Sequence, residues 1–138
     1  MIMNEFTVIE YLYRDASNYK VWSEIRLAGV FTQEDVETIQ FCMYDGDSFV
    51  PQEVGLPPLQ PLLWEEFGGP NDDDHDWHSI ESIRPATQTD MILPLYGTTD
   101  KLVTAFQAVR EKMLKQGLSS FFPSIKREST IDFVGHSQ

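Results

Sequence analysis

Cysteine is nearly missing from this sequence: Cys42 stands alone among 138 residues. One thiol can neither close an internal disulfide nor build a cysteine-rich zinc site, so the fold has to rest on packing. Long apolar runs are missing as well. No stretch approaches the roughly 18 residues of a membrane-spanning helix, and Met1-Ile2-Met3-Asn4-Glu5 lacks the basic and then apolar pattern of a secretory leader. A soluble, cytoplasmic protein with no membrane partner is the expectation. Catalytic signatures are absent too, with no G-x-G-x-x-G, Walker loop, G-x-S-x-G or H-E-x-x-H anywhere. The familiar routes to nucleotide binding, serine hydrolysis and zinc proteolysis are thereby excluded, and no organic cofactor is expected.

Positive charge is the most unevenly missing feature. No Lys or Arg lies between Arg26 and Arg84, and that interval holds 13 of the 22 acidic residues. The formal net charge of -12 therefore arises in the centre of the chain, with both flanks near neutral. Direct nucleic-acid binding needs clustered cations; the one cluster available is Arg110, Lys112, Lys115, Lys126 and Arg127, and no direct nucleic-acid binding is expected. An excess of one sign can serve only to keep a protein dispersed. It can also dock a basic partner protein, imitate nucleic-acid phosphates, or hold a cation.

What is present supports one domain. Hydrophobic residues make up 41% and aromatics 12% of the chain, enough to bury a core at this length. Phe6 to Arg14 is dense in β-branched and aromatic types and reads as a strand, with Phe6, Val8 and Leu12 on one face and Thr7, Tyr11 and Tyr13 on the other, the phenols half in water. Asp15-Ala16-Ser17-Asn18 supplies turn chemistry, and from Tyr19 to Phe31 the residues Val21, Ile25 and Leu27 alternate with Lys20, Glu24 and Arg26. An antiparallel hairpin is expected. Thr32 with Asp35 forms a capping box for a helix that carries Val36, Ile39 and Met43 on one face and stops near Gly46, with Cys42 buried and inert.

Beyond a short strand at Ser48 to Val50, the three prolines of Gly55-Leu56-Pro57-Pro58-Leu59-Gln60-Pro61-Leu62 predict extended chain anchored by its leucines. Trp77 to Arg84 reads as a strand closed by Pro85, residues 85 to 98 as irregular. Thr98 or Thr99 caps a helix from Asp100 to about Gln116, with Leu102, Phe106, Val109 and Met113 on its apolar face and Gly117 at its end. The order implies an α+β fold: a single domain over residues 1–117, in which a small antiparallel sheet (the N-terminal hairpin plus one or two further strands) is packed by two helices. Residues 118–138 form a C-terminal tail that packs, exchanges with a partner chain or stays mobile.

The densest collection of reactive side chains is Asp72-Asp73-Asp74-His75-Asp76-Trp77-His78. Asp72, Asp74 and Asp76 match the first three ligand positions of an EF-hand, but Trp77 stands where the loop needs Gly and Ile83 where it needs a bidentate Glu. His75 and His78 with Asp73 and Asp76 are ligand types for a divalent transition metal, provided a turn brings the two rings to one side. The same histidines beside aspartates form a candidate acid/base dyad.

Tyr11-Leu12-Tyr13-Arg14-Asp15 with Asn18-Tyr19-Lys20, then Gly55-Leu56-Pro57-Pro58-Leu59-Gln60, then Asp73-Asp74-His75-Asp76-Trp77-His78 and Arg84-Pro85, resembles a widespread group of small uncharacterised bacterial proteins. The resemblance covers roughly residues 11 to 85 and carries no activity with it. It implies that Tyr13, Arg14, Asn18, Tyr19, Lys20, His75, Trp77 and His78 form one surface, with Arg14 and Lys20 pairing with Asp73 to Asp76 if that loop folds over the hairpin turn. The expected function is a non-enzymatic module whose acidic surface, Glu65, Glu66, Asp72, Asp73, Asp74 and Asp76, engages a basic partner protein. The alternatives are an inhibitor that mimics nucleic acid, and a small metal-dependent enzyme built on His75 and His78.

Overall fold

Phe6–Arg14 forms β1, the central strand of a five-stranded sheet. The computed structural model describes residues 5–136; Met1 to Asn4, read above for a leader pattern, and Ser137 and Gln138 of the tail lie outside them. β1 pairs antiparallel with β2 (Lys20–Ala28) in an unbroken register from Phe6 opposite Ala28 to Arg14 opposite Lys20. Asp15 makes the connecting turn: its Oδ1 accepts the N–H groups of Ser17 and Tyr19, and Asn18 takes a φ of 70°, which Asn tolerates better than most residues.

On the other side β1 pairs antiparallel with β3 (His78–Pro85), across a register shift between Glu10 and Tyr11. β4 (Leu95–Thr98) joins β2 in parallel but meets it only at Arg26 and Ala28. β5 (Asp132–Phe133) adds in parallel to β3, giving the order β4-β2-β1-β3-β5.

Among the described residues three α-helices complete the fold: α1 (Gln33–Phe41), α2 (Gln60–Phe67) and α3 (Thr99–Lys115). Ile9, Tyr11, Tyr13, Val21, Ile25 and Leu27 of the hairpin join Val36 and Ile39 of α1 and Leu102 and Phe106 of α3 in one core. Each large side chain buried there stabilises by about 1.5–3 kcal/mol. On the opposite face of β1, Val8 and Leu12 are buried. Val8 lies between Arg26 and Arg84 of the flanking strands: Arg84 joins Glu24 at 3.0 Å and Asp90 at 2.7 Å, and the Arg26 guanidinium lies 5.0 Å over the Phe6 ring.

The α+β, single-domain expectation holds, with corrections. The sheet is mixed and five-stranded, because β4 and β5 are too short to show a period of two and pair through distant chain. Residues 85 to 98 accordingly hold a 3-10 turn, Gln88–Ile92, as well as β4. The described residues hold a third α-helix, α2, beyond the two expected, because Pro61 sits in its first turn, where a missing N–H costs nothing and a fixed φ helps. The proline-rich segment is therefore not extended throughout, and Pro51–Val54 is also a 3-10 turn. Ser48 to Val50 makes only isolated bridges, Tyr44 to Ser48 and Phe49 to His78. The phenols of Tyr11 and Tyr13 are fully buried rather than half in water, each hydroxyl having a partner inside: Pro57 O and Asp74 Oδ1, both at 2.7 Å.

Local chemistry is followed closely at the caps. Thr32 and Asp35 exchange both bonds of the capping box, and Thr98 Oγ1 accepts the Lys101 N–H. α1 ends at Phe41, a turn before Gly46, and Cys42 is buried with its thiol pKa pushed up by desolvation. The described part of the tail packs on its own chain. Phe122 is buried, Arg110 donates to both Phe41 O and Pro123 O at 2.9 Å, and Gln40 Oε1 accepts from Ser129 and Thr130.

Candidate functional site

The acidic loop does fold over the hairpin turn, but hydrogen bonds hold it there rather than ion pairs. Ala16 N–H donates to Asp73 O at 3.0 Å and Ser17 Oγ to Asp73 Oδ2 at 2.5 Å. Asp74 is the hub. Its carboxylate accepts the Tyr13 hydroxyl at 2.7 Å, the Trp64 indole N–H at 2.8 Å and the Asn71 backbone N–H at 2.9 Å, tying β1, α2 and the loop together. The Asn71 N–H, followed by the Tyr13 and Trp64 donors, holds this carboxyl below the usual carboxylate range. Gly69 leaves room for the indole: a Cβ there would stand 2.6 Å from Trp64 Cδ1, on backbone at φ 137° that side chains rarely adopt.

The two histidines are fixed in opposite tautomers. His75 Nε2–H donates to Arg14 O at 2.7 Å while its Nδ1 accepts the Trp77 N–H at 3.0 Å. His78 Nδ1–H donates to Asp76 O at 3.0 Å while its Nε2 accepts the Leu59 N–H at 3.0 Å. A ring that ligates a metal must offer a free lone pair. Both rings give theirs to a backbone N–H, and among the described residues no three His, Cys, Asp or Glu side chains gather around a possible ion. His78 is only 2% exposed, packs 5.1 Å from the Tyr13 ring, and has its pKa pushed down to about 4 by burial. These rings act here as joints, pinning the Leu59 end of α2 and the Arg14 end of β1 to the loop.

The remaining candidates divide. Tyr13 lies in the core; Arg14, Asn18 and Tyr19 are exposed around the turn; Lys20 is half-buried where β2 begins. Trp77 is partly exposed and meets Tyr44 edge to face at 4.9 Å. Neither Arg14 nor Lys20 forms an ion pair with Asp73 to Asp76 among the described residues. Asp72, Asp76, Glu65 and Glu66 are exposed, whereas Asp73 and Asp74 are half-buried and accept from Ser17, Tyr13 and Trp64. Among the described residues the ion pairs are Arg84 with Glu24, Arg84 with Asp90 and Lys115 with Glu111, so no carboxylate between residues 27 and 83 is paired with a cation.

The structure adds a feature at the same end of the sheet. Lys20, Val21 and Trp22 of β2 face Leu62, Glu65 and Glu66 of α2 across a groove of about 650 Å³. Trp22, Leu62, Tyr19 and Phe67 are 44–52% exposed, the last two with ring centroids 4.8 Å apart. Trp22 carried a signal in the sequence: it stands in phase with Lys20, Glu24 and Arg26, away from the core-facing Val21, Ile25 and Leu27. Of the leucines expected to anchor the proline-rich segment, Leu56 and Leu59 are buried but Leu62 is exposed, and Phe67 carried no signal, because the helix α2 that turns both outward was not expected. Among the described residues no helix is long and apolar enough to cross a membrane. No family model, curated protein or solved structure matches the chain.

Proposed function

We propose that the protein is a non-catalytic binding module that engages a basic partner protein through the end of the sheet where α2 lies beside β2. One observation carries this reading: exposed Tyr19, Trp22, Leu62 and Phe67 lie next to the carboxylates of Glu65 and Glu66, which have no cation partner among the described residues. Large exposed apolar side chains with a charged rim are the anatomy of an interface. Aromatic anchors supply affinity there, and the acidic rim speeds encounter and rejects acidic competitors. A nucleic-acid mimic needs a continuous stripe of free carboxylates, and Asp73 and Asp74 have theirs engaged by Ser17, Tyr13 and Trp64, which favours protein docking over mimicry.

The test compares immobilised wild type with Glu65→Lys/Glu66→Lys in host lysate at low and high salt. Basic proteins retained by the wild type and lost both on charge reversal and at high ionic strength support the reading. Retention of the same proteins by both forms at both salts overturns it.

A further inference from the structure

Building on that docking reading, we infer that the open edge of β2 from Lys20 to Glu24 accepts an extended basic segment of the partner as an added strand, seated in the groove beside α2. The edge is open because β4 covers β2 only at Arg26 and Ala28. Direction follows from two bonds. Arg26 N–H donates outward to Pro94 O at 2.9 Å, while Tyr19 O accepts Asp15 N–H on the β1 side. Along an antiparallel strand the backbone groups alternate, so the N–H and C=O of Trp22 and Glu24 point the same way as those of Arg26, away from β1. Among the described residues no backbone group pairs with them.

An unpaired strand edge is a template for another strand. The free stretch of β2 ends where Pro94 and Leu95 begin the line of β4, so an added strand of about five residues, roughly 17 Å long, would continue that line. Alternate side chains of this strand would meet Trp22 on one face and Leu62 on the other. Charge selects the occupant. Glu65 and Glu66 line the groove with Lys20 as its single cation among the described residues, and Glu24 is already held by Arg84. A second copy, with a net charge of -12, would set its own Glu65 and Glu66 against the first pair. A basic segment instead pairs with both.

The experiment titrates labelled full-length protein with a capped peptide of about seven residues alternating Lys and Val, and with two isomers N-methylated on one or the other alternate set of backbone nitrogens. The expected result is binding that shifts the amide signals of Trp22 and Glu24 and slows their hydrogen exchange. One N-methylated isomer should bind about tenfold weaker or worse and the other as well as the parent, because only one set of N–H groups faces β2. An acidic peptide alternating Glu and Val should not bind. Equal binding by both isomers, still abolished by Glu65→Lys/Glu66→Lys, overturns strand addition and leaves acidic docking standing. Isomer discrimination that is indifferent to charge reversal and salt overturns the basic partner and leaves the edge as the site. A titration in which the Trp22 and Glu24 amides do not move overturns the inference, as does a concentration-dependent dimer, formed without peptide, that protects them.

Discussion

The loop from Asn71 to His78 and the α2 face carrying Glu65 and Glu66 are both acidic, close in sequence and placed at the same end of the sheet, yet their charges do different things. In the loop, Asp73 and Asp74 accept hydrogen bonds from Ser17, Tyr13, Trp64 and Asn71, and two imidazoles are locked by backbone partners. On α2 the carboxylates are exposed beside exposed apolar side chains and, among the described residues, paired with no cation. A run of acids is thus not one kind of feature. Where neighbours supply donors it is a structural joint, and where they do not it is a surface.

Three measurements sharpen the contrast. The largest effect belongs to His78. Its pKa lies near 4 in the fold against 6.5 for a free ring, so full stability is present above pH 6.5 and is lost as pH falls towards 4, when the unfolded chain takes up a proton that the folded ring refuses. The loss reaches roughly 3 kcal/mol at the lower limit. Denaturant unfolding between pH 7 and 4 should show this slope in the wild type and a flatter one in His78→Asn.

Next comes Asp74→Ala, which leaves the Tyr13 hydroxyl and the Trp64 indole without their acceptor and should cost about 2–3 kcal/mol in urea unfolding at neutral pH. A cost below about 0.5 kcal/mol would place the loop with the surface class after all. Smallest is the effect of Glu65→Lys/Glu66→Lys on stability: no internal partner is lost, so the unfolding midpoint should stay within about 0.5 kcal/mol of wild type while binding changes. A large destabilisation there would erase the distinction between joint and surface.

Much of the fold was legible. The hairpin from Phe6 to Ala28, the Thr32 capping box and the helix capped by Thr98 follow from period and cap chemistry, signals confined to a few neighbouring residues. The candidate site was half legible. The density of reactive groups at residues 72–78 was visible, but whether they face inward depends on Tyr13 and Trp64 arriving from elsewhere in the chain. Pro61 obscured α2, since a proline in a helix's first turn looks locally like one in extended chain.

The sequence by itself determined the single-domain α+β character, the main strands and helices, and the concentration of negative charge, because these depend on composition and on spacings of two to four residues. Tertiary structure alone decided which carboxylates are bound internally, which imidazole lone pairs are occupied, how β4 and β5 complete the sheet and where β2 is left open. Those outcomes depend on hydrogen-bond partners brought together from distant parts of the chain, and a donor that is far away in sequence leaves no local mark at its acceptor.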